Sequence, residues 1–402
     1  MFNNTCRQYL RGIIALIFLG WAGIASAEWG LNMTEGVTPI SKQVYDLHMI
    51  SLWMVTIIGI GVYGAMIWSI FRHRKSKGAV AAQFHHSTKA EIIWTVIPII
   101  ILIAFAFPAT KTLVAMEATE DADMTIKVTG YQWKWKYDYL DEGFSFFSVL
   151  SQESNDASQR GSGINPAGAD HYLRDVDNPV VIPVGKKVRI LTTAADVIHA
   201  WWVPALGWKR DAIPGFVNDN WTIIDKPGVY RGQCAELCGK GHGYMPIVVR
   251  AVPEEEYLAW AQQMKLAQAE AAAGANKQWS LADLKTRGES VYTKNCVACH
   301  QVNGHGLPGA FPPLVDGAEF AGAAAMTGPL EEHGFWKDGK IVLGPLAKHL
   351  DIVLHGLTGT GMVAFGPQLN DVDIAAVITY ERNSWGNATG DVLQPADVKA
   401  AR

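Results

Sequence analysis

Charge of one sign is what this 402-residue chain most plainly lacks. Lysine and arginine number 34, aspartate and glutamate 38, and the net charge is −4. Without a basic excess there is no electrostatic footprint for nucleic acid, and 49% hydrophobic residues do not suit a disordered chain. A long internal repeat is also missing, which excludes a stacked-repeat solenoid. Cysteine is sparse: Cys6 stands alone, and the other four form two tight pairs, Cys234/Cys238 and Cys296/Cys299. The length allows two or three domains.

What is present is unevenly spread, with most of the apolar excess before residue 116. Residues 1–27 carry a basic flank at Arg7 and Arg11, an apolar core IIALIFLG (13–20) and the small run Ala25-Ser26-Ala27. That order predicts a cleaved signal peptide, and its core is short for a third membrane anchor. Two longer apolar runs predict a transmembrane hairpin within 28–120, with spans at about 45–71 and 91–116. The loop between them holds RHRKSK (72–77) and Lys89. Its positive charge should stay in the cytoplasm, which puts everything after about residue 117 on the exported side.

Beyond the spans, MTIKVTGYQWKWKYDY (124–139) alternates apolar and polar residues and is rich in β-branched and aromatic side chains, a strand signal. Strand-like runs return at 180–193, 221–234 and 245–252 between Gly and Pro turns, so 121–253 reads as a β-sandwich or barrel. The stretch 141–178, rich in Ser, Gly, Asn and Asp, reads as a loop or insertion. Pro253 and three glutamates open an Ala/Gln-rich helix that reads as a linker over 254–279. A further domain spans 280–390, ends in the helix DVDIAAVITYERNSW (371–385), and leaves 391–402 as a tail.

The segment RGQCAELCGKGHGYMPIVVR (231–250) gathers Cys234, Cys238, His242 and Met245 within twelve residues, between two strands. A loop whose ends are fixed by a sheet can aim several side chains at one point. Thiolates and a thioether favour copper, and imidazole suits it. A single blue copper needs one Cys and two His; here there is one Cys more, and only one His nearby. His199, in DVIHAWWVPALG, supplies a second, and two thiolates then fit two coppers sharing a charge. The same residues serve one tetrahedral zinc, a Cys234–Cys238 disulfide, or, for His199, plain core packing. Met245 weighs toward copper, because zinc has little use for a thioether.

These residues resemble the copper loop of cytochrome c oxidase subunit II. DVIHAWWVPALGWKRDAIPG (196–215) resembles that family's upstream histidine segment, GYQWKWKYDY (130–139) its aromatic stretch, and KAEIIWTVIPIIILI (89–103) its second membrane helix. The resemblance covers about 40–252. It implies a two-helix hairpin and a cupredoxin-like β-barrel with a dinuclear copper centre, CuA. Cys234 and Cys238 would bridge the coppers, His199 and His242 would be terminal ligands, and Met245 a weak one. Glu236 would ligate through its backbone carbonyl, and its carboxylate would reach a magnesium shared with subunit I. Trp133 matches the family's electron-accepting tryptophan, and Glu91 the position near the mouth of a proton path into subunit I. The loop reads Cys-Ala-Glu-Leu-Cys where relatives often have Ser second, which leaves the ligands untouched.

Cys296-Val297-Ala298-Cys299-His300 has the spacing of c-type heme attachment, two thiols for the porphyrin and a histidine for the iron. A methionine as the other axial ligand suits an electron carrier. Met362, in the Gly-rich run GTGMVAFG before the last helix, and Met326, in an Ala-rich run, are the candidates. Residues 280–390 resemble a class I cytochrome c, all-α, which favours Met362. His305, His333, His349 and His355 read as surface or packing residues.

Subunit II fused to a cytochrome c resembles the caa-type oxidases. The implied route runs from a soluble cytochrome c or other donor to heme c, to the dicopper centre, and to heme a of subunit I, which reduces oxygen; subunit III is a further expected partner. The expected place is the cytoplasmic membrane of a bacterium, with two spans and both redox domains on the periplasmic side. A stand-alone membrane-tethered shuttle is the alternative, against which Glu91, His48 and Thr56 in or near the spans argue for a membrane partner. Nitrous oxide reduction would need a second, His-rich copper cluster, which this sequence lacks.

Overall fold

A computed structural model describes residues 32–81, 83, 85–159 and 162–402. The expected signal peptide and Cys6 lie outside the described residues. The molecule forms two units.

The first unit holds, among the described residues, 32–35 and Tyr45–Val80. Most of it is one helix, α1 (Pro39–Arg72), whose Trp53, Ile57, Tyr63 and Trp68 are all exposed. Apolar side chains turned outward on all sides of a helix are stable only against lipid or another apolar surface. The polar groups do not break this face: Thr56 returns its hydroxyl to the Leu52 carbonyl at 2.6 Å.

The second unit takes in Gly36–Val44 and the chain from Ala81 on. The start of α1 lies here. Thr38 and Ser41 cap it reciprocally, each side-chain oxygen accepting from the other's backbone N–H at 2.9 Å, with Pro39 in the first turn. This cap begins the helix several residues before the expected span. The second apolar helix, α2 (Thr88–Met116), starts with Ser87 accepting from Ala90 N–H and also shows exposed apolar side chains. Both helices are long and apolar enough to cross a bilayer.

Two five-stranded sheets follow. The strands are β1 (Met124–Tyr131), β2 (Lys134–Tyr139), β3 (Phe144–Ser148), β4 (Val180–Pro183), β5 (Val188–Ala194), β6 (His199–Val203), β7 (Trp208–Ala212), β8 (Asn218–Thr222), β9 (Gly228–Cys234) and β10 (Pro246–Val252). One sheet has the order β3-β2-β1-β5-β8 and the other β4-β10-β9-β6-β7. β1 and β5 pair in parallel, as do β4 and β10; the other neighbours are antiparallel. Strict alternation of burial along β5 gives its sheet one inward face. Trp135, Tyr137, Ile190, Trp201 and Val249 fill the space between.

Several expectations change. The run 180–193 is two strands, because Gly185 at φ +77° turns the chain between them. Residues 141–178 are not simply a loop: β3 pairs with β2, and α3 (Gln152–Ser158) follows. The helix α4 (Glu254–Gly274) is no free linker. Tyr257 and Ala261 are buried against the sheets, and Trp260 packs on Tyr139 and Phe144 at 5.2 and 5.4 Å between ring centroids.

The last domain is helical. Its helices are α5 (Leu281–Asn295), α6 (Val297–His300), α7 (Ala324–Glu332), α8 (Leu346–His355), α9 (Asp371–Arg382) and α10 (Pro395–Ala401). α5 and α9 cross at Gly288, where a Cβ would come within 2.1 Å of the Ala376 carbonyl oxygen. The expected tail is instead part of this core. Leu393 and Val398 are buried, and Arg402 donates to the carbonyls of Gly366 and Leu369 at 2.5 and 2.6 Å.

Candidate functional site

The first site forms where β6 begins beside the end of β9, Trp201 opposite Cys234. β9 delivers Cys234, the loop returns through Cys238 and His242, and β10 begins just after Met245. Two backbone bonds close the loop, from Cys234 N–H to the Met245 carbonyl at 3.2 Å and from Ala235 N–H to that of Ala200 at 3.0 Å. His199, Cys234, Cys238 and Met245 are all at most 2% exposed.

The two sulfurs lie 3.8 Å apart, far beyond a disulfide bond, and both cysteines are free. His199 Nδ1 is 3.9 Å from Cys234 Sγ, and His242 Nδ1 is 3.6 Å from Cys238 Sγ. Met245 Sδ is 3.5 Å from Cys238, and the Glu236 backbone oxygen 3.3 Å from Cys234. The donors mutually within 4.8 Å are His199, Cys234 and Cys238, without His242. His242 lies outside that set, so the two imidazoles stand beside different sulfurs, His199 by Cys234 and His242 by Cys238.

Charge is arranged for a cation. A hydrogen bond from Cys238 lowers the Cys234 thiol far below its ordinary range while raising Cys238, so one proton serves two sulfurs. Burial disfavours the His199 cation, but the hydrogen bonds to Asp196 and Cys234 outweigh it and raise its pKa. The Asp196 carboxylate accepts from His199 Nε2 at 2.9 Å. That fixes the proton on Nε2 and leaves Nδ1 toward the sulfurs. Gly130 faces the ring, and a Cβ there would approach His199 Cδ2 to 2.7 Å.

The second site is a cavity of about 850 Å³ lined by Cys296, Cys299, His300, Met326 and Met362. Its size lies in the ~300–1,000 Å³ range of cofactor pockets. His300 Nδ1 meets the Pro312 carbonyl at 2.9 Å, and burial lowers its pKa. A neutral ring that must donate from Nδ1 keeps the Nε2 lone pair for a metal. Both methionines reach this cavity, Met326 from α7 and Met362 from the loop before α9. Met362 is pinned by its N–H to Thr360 Oγ1 and its carbonyl to Leu357 N–H. His349, read from sequence as surface or packing, lines the cavity too. It is buried and bonded through Nε2 to Glu381 at 2.9 Å.

The two sites share a wall. Trp133 and Gln132 line the cavity, and both donate to the Cys238 carbonyl, at 3.0 and 2.9 Å. Sequence reasoning missed Asp196, Gln132, His349 and Lys134. Asp196, three residues before His199, was the one legible by spacing. Glu91 stands exposed in the first turn of α2, apart from either site.

The anchoring helices, the β-sandwich with sulfur and imidazole donors and the helical heme-type domain define a membrane-bound electron-transfer protein. The family described as cytochrome c oxidase subunit II, periplasmic domain, matches residues 124–252, and its transmembrane domain matches 26–112. A third match, cytochrome c oxidase, cbb3-type, subunit III, covers 283–380. A probable cytochrome c oxidase subunit 2 of Rickettsia bellii is 42% identical over 233 residues, 58% of this chain and 83% of the relative. That of Cereibacter sphaeroides is 37% identical over 247 residues, 59% and 80%. The solved periplasmic domain of cytochrome oxidase subunit II of Bradyrhizobium japonicum is 43% identical, covering 37% of this chain and 98% of that one, with a TM-score of 0.32. The chain belongs to the cytochrome c oxidase subunit II family and carries a C-terminal cytochrome c domain. It is thus a subunit of a heme–copper oxidase complex, for which the family implies copper and the added domain a c-type heme.

Proposed function

We propose that this chain is the electron-input subunit of a caa-type, proton-pumping terminal oxidase. Electrons pass from a soluble cytochrome c or other donor through a c-type heme and a dicopper centre to heme a of subunit I, where oxygen is reduced to water. Cys296 and Cys299 would attach the heme, with His300 and Met362 as axial ligands. His199, Cys234, Cys238, His242, Met245 and the Glu236 carbonyl would hold the copper pair. When bound, these groups supply reversible one-electron chemistry; the chain supplies fixed donors, buried surroundings and set tautomers.

One observation carries this reading: Trp133 lines the heme-sized cavity and donates its indole N–H to the Cys238 carbonyl at 3.0 Å. A single side chain thus touches both sites. Around the copper loop Ile198, Leu237, Phe216 and Val217 are exposed, Leu237 to 77%. Such apolar surface suits contact with subunits I and III. The Glu236 carboxylate is assigned to a magnesium shared with subunit I, and Glu91 to the mouth of a proton path. The assembly is placed in the cytoplasmic membrane of a bacterium, with both centres on the periplasmic side.

Purification of the complex in mild detergent, with metal analysis and EPR, tests this. The expected result is two coppers and one c-type heme iron per chain, together with a heme–copper subunit. A chain that carries both centres but emerges alone is the tethered shuttle instead. A zinc-loaded, EPR-silent sandwich overturns the copper reading.

A further inference from the structure

Lys134 opens β2 directly after Trp133, yet it is only 4% exposed. Its ammonium donates to Asn295 Oδ1 at 2.7 Å, and Asn295 is the residue before Cys296. It also lies 4.8 Å from the ring centroid of Phe147 in the β domain and 5.3 Å from that of Phe365 in the helical domain. Lys134 and Phe365 both line the cavity. Among the described residues no carboxylate comes within ion-pair distance of Lys134: its partners are one amide oxygen and two ring faces. Lys294, nearby on α5, is by contrast paired with Asp177 at 2.9 Å.

An ammonium buried without a counter-ion is costly, and one amide oxygen and two ring faces offset that cost only in part. Burial lowers its pKa to about 8, against the raising influence of Cys296, Asp177 and Asp196, so it remains mostly charged at neutral pH. A fixed cation beside a one-electron centre stabilises the form carrying one positive charge fewer.

We propose that Lys134 is a positioning and potential-setting residue of the cytochrome domain. Its ammonium, gripped by Asn295 and Phe365, seats that domain on the β domain and favours the reduced heme. This rests on the heme reading above.

The test is a spectroelectrochemical titration of the heme in the full complex. Lys134→Met should shift the heme equilibrium toward the oxidised form by about tenfold, the order of one nearby unit charge in a protein interior. Lys134→Arg should stay close to wild type. Asn295→Asp keeps the lysine charged but sets a carboxylate against it that cancels its field, so it should shift the equilibrium in the same direction as Lys134→Met and keeps the test decisive if the methionine variant misfolds. An unchanged equilibrium in the Met and Asp variants overturns the proposal, as does an Arg variant shifted as far as Met. Pyridine hemochrome assay of the same samples is independent: absence of covalent heme sinks the heme reading itself, whereas heme present with an unmoved equilibrium sinks only the role of Lys134.

Discussion

The indole Nε1 of Trp133 donates to the carbonyl oxygen of Cys238 at 3.0 Å, and the face of the same ring rests on Gly241, where a Cβ would come within 2.3 Å. The ring is therefore held between the copper loop and the cavity by one hydrogen bond and by a backbone with no side chain in the way.

Trp133→Phe removes that hydrogen bond and keeps most of the ring. Electron transfer from heme to copper, followed by flash photolysis in the full complex, should slow by about tenfold, equivalent to ~1.4 kcal/mol of barrier. The copper spectrum should be retained, since no donor atom is lost. An unaltered rate would remove Trp133 from the route.

Gly130→Ala pushes a methyl group against the His199 ring, 2.7 Å from Cδ2. The ring must shift, and both the Asp196 bond and the approach to Cys234 are lost with it. Copper content should fall below two per chain. Gly168→Ala, with nothing within 4 Å of the added carbon, serves as the neutral comparison. Equal copper in both would show that His199 tolerates displacement.

Met362→Ala should abolish the low-spin methionine–heme signature in the visible spectrum, while Met326→Ala should preserve it. Both residues line the same cavity, so the pair of spectra decides the ligand. The reverse outcome assigns the ligand to Met326 on α7.

Arg382 Nε donates to Asp391 at 2.6 Å. Burial works against the Asp391 charge, but the hydrogen bonds of Arg382 and Thr389 and the charge of Arg382 prevail and hold its pKa below the ordinary value. A carboxylate depressed in the folded state stabilises above its unfolded pKa, about 3.9, and that stability is lost as pH falls through the folded value. Asp391→Asn should therefore cost about 1 kcal/mol at pH 7, discounted for partial exposure. The gap from wild type should close as pH falls below the unfolded carboxylate range and through the lowered folded value. Thermal unfolding followed at the heme band measures both; a gap that persists in acid would contradict the assignment.

The features legible in the sequence are local ones. Two apolar runs long enough to span a bilayer, a cysteine loop and a Cys-x-x-Cys-His motif each lie within a few consecutive turns of chain, and the helix start signal at Pro253 and its glutamates needs only near neighbours. Even here the reading stops at the edge of the segment. The helix after Pro253 looked like a linker because only Tyr139 and Phe144, more than a hundred residues earlier in the chain, give Trp260 a surface to pack on. The residues after 390 looked like a tail because Leu393, Val398 and Arg402 acquire burial and partners only once α9 and the Gly366 loop are in place.

The sequence by itself determined which donors exist, sulfur and imidazole in two clusters, and that two membrane-length helices stand among the described residues. Tertiary structure alone decided which of them meet. It brought His199 to Cys234 across 35 residues, set Asp196 behind the ring, and placed Trp133 and Lys134 on the wall between the two sites. The reason is physical. Donor chemistry belongs to a side chain and is written one residue at a time, whereas distance, burial and tautomer come from strand pairing and packing, which join segments that spacing along the chain does not connect.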